Sequence, residues 1–220
     1  MNRKIILKRI LDVVMIVLLL ALMSFQYTGA EIHEWVGTGM FLAVLIHQFM
    51  NRKWYAALGT GKFSTIRVLQ IVLNFALVLD TILMMVTGML MSGYVFQWLP
   101  VHADVSTARS IHLAGAHWGF LLMSMHMGMH FGIISSVREK TSKGNKRQAV
   151  LKLLLLIVFG YGIFAFIQQG IGSYLFLQTE FYQWGKAPNV WVYNLQNICM
   201  MITAGVIIRI LCLSLKKKIR

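Results

Sequence analysis

Charged residues are scarce in this chain, and acidic ones are the scarcest. Only 13% of its 220 residues are charged, against about 25% in an ordinary soluble domain. Seven acidic residues stand against 21 basic ones, and 58% of the chain is hydrophobic. This composition argues against an ordinary soluble domain and predicts a chain built for a lipid environment.

Cysteine and proline are nearly absent, with two of each. Cys199 and Cys212 lie in one apolar run, and 13 helical residues would separate them by about 20 Å, too far for a disulfide. No C-x-x-C or C-x-x-C-H sequence occurs. The sequence therefore argues against covalent c-type haem attachment and against a cysteine-based zinc site.

The basic residues give a net charge of +14, but their placement argues against nucleic-acid binding. Of the 21, 19 fall in four short clusters that alternate with apolar runs: Arg3–Arg9, Arg52–Arg67, Arg138–Lys152 and Arg209–Arg220. Loops on the cytoplasmic side of membrane proteins carry this kind of excess. The clusters predict a membrane topology, with anionic lipid as the contact of the basic loops.

The alternation predicts an all-α membrane protein, a bundle of six transmembrane helices with both termini cytoplasmic. We expect spans at about 9–27, 33–51, 67–91, 112–134, 151–167 and 195–215, in one domain covering 1–220. The aromatic segment 168–194 is expected to lie at the extracytoplasmic interface as a hairpin or short helix. A cleaved signal peptide ending near Ala30 is the competing interpretation of the first span.

Four histidines carry the functional hypothesis. His33 and His47 are 14 residues apart, and so are His112 and His126. Fourteen helical residues rise about 21 Å and return to within about 40° of the starting direction. Each helix thus presents two imidazoles on one face, near opposite sides of a bilayer core about 30 Å thick. We expect His33 with His112, and His47 with His126, to ligate the irons of two b-type haems.

Other interpretations of the histidines stay open. A single intramembrane histidine commonly hydrogen-bonds between helices. Relative to His112, His130 lies at about 0° and remains an alternative inner ligand, whereas His117 lies about 140° away. His102 is expected to be a loop residue without a role, and none of the 15 methionines is assigned as a ligand.

Four further residues are candidates around these sites. Gly37 and Gly119 could admit a porphyrin face, although packing of small residues between helices explains them as well. Arg109 could pair with a haem propionate or be a solvated loop charge. Asp80 falls near mid-membrane, where it could orient a ligand imidazole or handle protons.

Two runs are similar to the flavinylation-associated membrane cytochromes: H-E-x-x-G…H-x-x-x-N-x-x-W from His33, and I-H-L-A-G-A-H-W-G-F…M-S-M-H-M-G-M-H-F from Ile111. The resemblance covers most of the chain. It implies a helical haem protein that exchanges electrons with extracytoplasmic proteins carrying covalent flavin. It also implies His33, His47, His112 and His126 as ligands. His117 departs from the family pattern, where an aromatic such as Tyr is expected.

The resulting hypothesis is a diheme b-type cytochrome in the cytoplasmic membrane. It would carry electrons between a quinol or other inner donor and an extracytoplasmic flavoprotein. A quinone is a further candidate cofactor, and the flavin would belong to the partner. The alternatives are a cytochrome b subunit of a membrane-bound dehydrogenase or hydrogenase, and a haem-free proton- or metal-coupled transporter that uses Asp80 and the histidines.

Overall fold

We describe a computed structural model of the chain that covers residues 3–99, 104–130, 146–179, 181 and 187–218. Within these ranges all regular secondary structure is helical. The helices are α1 (Arg3–Met23), α2 (Phe25–Met50), α3 (Arg52–Ala56), α4 (Thr65–Leu90), α5 (Val105–His130), α6 (Lys146–Gln168), α7 (Ile171–Leu175) and α8 (Val190–Lys218). The prediction of an all-α fold is confirmed.

Three helical segments are long and apolar enough to cross a membrane: Thr65–Leu90, Ala149–Gln168 and Val190–Lys216. They lie in α4, α6 and α8, and they mark the protein as a membrane protein. The other long helices are more polar. Lys8, Arg9 and Asp12 lie within α1, while α2 and α5 carry the histidines. The histidines on which the functional hypothesis depends thus also lower the hydropathy of α2 and α5.

The connection between α1 and α2 differs from expectation. The predicted spans 9–27 and 33–51 leave residues 28–32 as a loop, but α2 begins at Phe25, directly after Ser24. The chain turns at Gly29, whose φ of 77° interrupts the helix. Glycine adopts this backbone conformation without the steric cost that a Cβ would bring. A short helical turn and one glycine therefore replace the expected loop.

The start of α5 also differs from expectation. A loop was predicted over 92–110, yet α5 begins at Val105, seven residues before His112. The carboxylate of Asp104 accepts hydrogen bonds from the Thr107 hydroxyl and the Ser106 N–H, and these bonds lower the pKa of Asp104. An acidic side chain in this position caps a helix N-terminus. His102 and the last predicted residues of this span, 131–134, lie outside the described ranges.

Helix α5 occupies the centre of the packing. It packs against α4 and α8, and α8 also packs against α6. The α5–α8 contact is very close, since a Cβ added at Gly128 would lie 2.3 Å from the Cα of Gly205. Small residues allow such backbone approach between membrane helices. Helix α2 packs mainly on α1, with a smaller contact on α4.

The segment after α6 packs against the middle of α5, beside His117 and Trp118. Within it, α7 is buried through Ile171, Tyr174 and Leu175. The Trp118 indole N–H donates to the Leu175 carbonyl at 3.0 Å, which ties α7 to α5. The predicted short helix is therefore present, while residues 182–186 of the same segment lie outside the described part.

Candidate functional site

His33 and His112 come together from α2 and α5. Their ring centroids are 6.1 Å apart, and the ring planes meet at 68°. With metal–nitrogen bonds of about 2 Å and about 1.1 Å from nitrogen to ring centre, two imidazoles on opposite sides of one metal ion lie roughly 6 Å apart. The distance between these rings therefore fits the pairing that the sequence predicted.

Thr87 of α4 fixes the ring of His112. The Thr87 hydroxyl donates to the Leu83 carbonyl at 2.8 Å. Its oxygen therefore accepts from Nδ1–H of His112, at 2.9 Å. This arrangement assigns the proton to Nδ1 and leaves Nε2 with a free lone pair, as a metal ligand requires.

Glu34, next to His33, ties α2 to the loop that follows α4. One carboxylate oxygen accepts from the Ser92 hydroxyl at 2.7 Å and from the N–H groups of Tyr94 and Val95 at 3.0 and 2.9 Å. The other oxygen accepts from Gly93 N–H at 2.8 Å. Four hydrogen bonds to one carboxylate form a strong anchor. They hold the end of α2 that carries His33 against the hairpin that carries His112.

At the opposite end of the bundle, His126 and His47 have partners of the same kind. Nδ1–H of His126 donates to the Asn74 side-chain carbonyl at 2.8 Å. Nδ1 of His47 lies 3.1 Å from the carboxylate of Asp12. In both rings Nε2 is again the nitrogen left for a ligand. Histidines that bind metals usually donate their other N–H to such acceptors.

The sequence did not identify these anchoring residues, but the hairpin register explains them. Lys8 bonds Asn51 at 2.7 Å, and Asp12, four residues further along α1, meets His47, four residues earlier in α2. Once the Lys8–Asn51 pair is known, antiparallel packing places Asp12 beside His47.

His130 and His117 have different surroundings. His130 stacks near His126, with ring centroids 4.6 Å apart, and lies within electrostatic range of Asp12 and His47. It can therefore serve as the alternative inner ligand. His117 is buried, donates from Nδ1 to the Leu113 carbonyl at 2.7 Å, and stacks on Tyr174 at 4.2 Å. The structure thus places His117 against α7, away from the His33–His112 pair.

The predicted glycines contact other helices. A Cβ added at Gly119 would lie 2.2 Å from Oδ2 of Asp80, and one at Gly37 would contact Leu22 of α1 at 3.7 Å. Gly119 therefore makes room for the Asp80 carboxylate, and Gly37 supports the α1–α2 contact. A role of either glycine beside a porphyrin stays a prediction.

Asp80 and Arg109 also have contacts other than the expected ones. Asp80 faces α5 beside Gly115 and Gly119, between the two histidine levels. The imidazole-orienting role expected of it belongs to Asn74 and Thr87, which lie six and seven residues to either side on α4. The guanidinium of Arg109 lies over the Phe181 ring, 5.5 Å from its centroid.

His33 and His112 together offer two imidazoles. In the described part of the chain, no three His, Cys, Asp or Glu side chains form a group that could hold a metal ion. A haem iron takes four ligands from the porphyrin and needs only two from the protein. Nδ1 of His33 is buried and makes no hydrogen bond of normal geometry, although the Leu22 backbone is a neighbour. The ring of His33 alone among the four is not fixed by a side chain.

The described residues form an all-helical membrane protein in which His33 of α2 and His112 of α5 lie close together. Comparison with protein-family models, with curated proteins and with solved structures gives no match. The functional assignment therefore depends on the geometry of the sites and on the sequence motifs.

Proposed function

We propose that the protein is a diheme b-type cytochrome of the cytoplasmic membrane, in which His33 and His112 bind one haem and His47 and His126 the other. The observation that carries this proposal is the 6.1 Å separation of the His33 and His112 rings across two helices. The proposal extends the three apolar helices to six spans, with both termini cytoplasmic. We place His33 and His112 at the outer side and His47 and His126 at the inner side.

The anchoring hydrogen bonds support this proposal. His112, His126 and His47 each direct Nδ1 toward an acceptor, respectively Thr87, Asn74 and Asp12. If these histidines only linked helices, each would need one hydrogen bond, and either ring nitrogen could make it. The same nitrogen is used in all three, so Nε2 remains available in each. A haem supplies reversible one-electron chemistry when bound.

The spacing supports transfer across the membrane. Fourteen residues of α5 separate His112 from His126, a rise of about 21 Å. Side-chain partners orient three of the four proposed ligands, His112, His126 and His47. On this basis, and on the motif resemblance, we propose an extracytoplasmic flavin-carrying protein as the outer partner. A quinone pool would be the inner one.

One observation favours a different class. Asp80 is a half-buried carboxyl group that faces the α5 backbone midway between the histidine levels. An ionisable group in this position is common in proton-coupled transporters. In that case the histidines and Asp80 would line a proton path, and the protein would bind no haem.

A haem count on ligand variants tests the proposal. The purified protein, supplemented with haem during expression, should give two b haems per chain by pyridine haemochrome assay. His112→Ala and His47→Ala should each lose a different one, as reduced-minus-oxidised spectra would show. His102→Ala is the matched control, because no role is assigned to His102, and it should keep both haems.

Other outcomes decide between the alternatives. A folded, colourless protein would contradict the cytochrome and favour the transporter. Retention of both haems in His112→Ala would contradict the outer ligand assignment and make His117 the next candidate. The haem count does not distinguish a flavin partner from a dehydrogenase or hydrogenase partner, so that choice needs a co-purification experiment.

A further inference from the structure

A cavity of about 240 Å³ lies between α4, α5 and α8, at the end of the bundle that carries the basic residues of α8. This volume greatly exceeds the roughly 10–15 Å³ that one water molecule needs. Apolar side chains form part of its lining, among them Ile66, Met129 and Leu213. Its polar lining comes from Ser64, Gln70, Arg209 and Lys216, and the set includes no acidic residue.

Arg209 is the central feature of the cavity. Its Nε is buried and has no hydrogen-bond partner among the described residues. A guanidinium within an apolar helix is costly unless an anion or a polar group satisfies it. Among the described residues, no acidic side chain lines the cavity.

Lys216 adds a second positive charge on the same side of α8. Seven helical residues after Arg209, it points in nearly the same direction about 10 Å further along the axis. Ser64, whose hydroxyl oxygen accepts from Arg67 N–H, also lines the cavity. Two basic side chains and a hydroxyl group therefore line one space that also has apolar walls.

We propose that this cavity binds the phosphate group of an anionic membrane lipid. Arg209 is suited to bidentate contact with phosphate oxygens, and Lys216 would act as a second, more exposed charge. The apolar lining near Met129 and Leu213 would contact the glycerol and the first carbons of an acyl chain. Basic pockets between transmembrane helices bind lipid headgroups in this manner. The proposal does not depend on haem.

Lipid binding to the full-length protein, measured by native mass spectrometry in detergent, tests the proposal. The probes are phosphatidylglycerol, phosphatidylcholine, inorganic phosphate and a short-chain quinone. We expect phosphatidylglycerol to bind with one strong site. Arg209→Gln should weaken that site by at least about ten-fold, the effect of losing hydrogen bonds to a charged group.

Two further variants keep the outcome interpretable. Arg52→Gln removes the same charge from an exposed side chain that lies over Phe49, away from the cavity, and should leave the strong site intact. Lys216→Gln alters an exposed residue at the helix end, so it should fold even if Arg209→Gln does not. It should weaken phosphatidylglycerol binding by a few-fold.

Four results would overturn the proposal. An equal loss of phosphatidylglycerol affinity in Arg52→Gln and Arg209→Gln would mean that binding depends only on net charge. Phosphatidylcholine binding as strong as that of phosphatidylglycerol would mean that the site does not select an anionic headgroup. Competition by inorganic phosphate at the affinity of the lipid would mean that the site takes free phosphate. Displacement of the lipid by the quinone alone would identify a quinone site.

Discussion

The two histidine sites differ in how their rings are held. At the His33–His112 site the ring partner is the neutral hydroxyl of Thr87, and Glu34 anchors the helix end through four hydrogen bonds. At the opposite site the partners are Asn74 and the carboxylate of Asp12, whose side chain is 47% exposed. The second site also has a spare histidine, His130. The first site is therefore distinguished by a firmly anchored helix end. The second is distinguished by a charged ring partner and an additional histidine.

The largest expected effect comes from His112→Ala. Among the described residues, His117 stacks on Tyr174 and does not lie beside the His33–His112 pair. The outer haem should be lost completely while the inner one is kept. The haem-to-protein ratio should fall from two to one by pyridine haemochrome assay, and a ratio of two would refute the assignment.

His126→Ala should be milder, and this asymmetry tests the redundancy of the inner site. His130 lies one helical turn further on, with its ring 4.6 Å from that of His126. We expect partial retention of the inner haem with a shifted spectrum. The double variant His126→Ala/His130→Ala should lose that haem altogether. If the single variant already loses it, His130 is no substitute ligand.

Glu34→Gln should weaken the outer site without removing a ligand. The amide presents one oxygen fewer to the N–H groups of Gly93, Tyr94 and Val95, so the end of α2 is held less firmly. We expect about a ten-fold loss of haem affinity there, the lower end of what loss of an outer-shell partner costs a metal site. Haem titration of the apoprotein measures it. Glu31→Gln, at an exposed position in the same turn region, is the matched control and should change nothing.

Asp12→Asn should give the smallest effect, a change in potential with little loss of haem. A carboxylate that accepts from a ligand imidazole raises the basicity of that ligand and favours the oxidised metal. Replacing it by a neutral amide should raise the potential of the inner haem only. Thr87→Val should change the potential of the outer haem alone. Spectroelectrochemical titration resolves both, and a shift of the outer haem in Asp12→Asn would contradict the site assignment.

The helices could be predicted from sequence because they follow from local periodicity. The closeness of His33 and His112 agrees with their predicted pairing, while their role as ligands stays a prediction. Thr87 and Asn74 could not be predicted in this way, because their role depends on the register of α4 against α5. Asp80 attracted attention as the only acid in that helix, yet it lies against Gly115 and Gly119. The charge of Asp80 drew attention to a side of α4 that faces α5. The contacts with histidine are made by the neutral residues Asn74 and Thr87.

The helix boundaries show the same division between local and tertiary information. The start of α5 follows from a local signal, the Asp104 cap, which polar composition had led us to interpret as loop. The close contact of Gly128 with Gly205 depends on tertiary packing, and no pattern within either helix identifies the partner. Helix existence was therefore predictable, whereas helix pairing was not.

The most direct test of the central claim is electron paramagnetic resonance of the oxidised, haem-loaded protein together with its haem count. Two bis-histidine haems predict two low-spin ferric signals per chain, with one of them absent in His112→Ala. A high-spin signal in the wild-type protein would contradict bis-histidine ligation. A folded protein with no haem signal at all would refute the cytochrome and leave Asp80 and the histidines as candidates for a proton path.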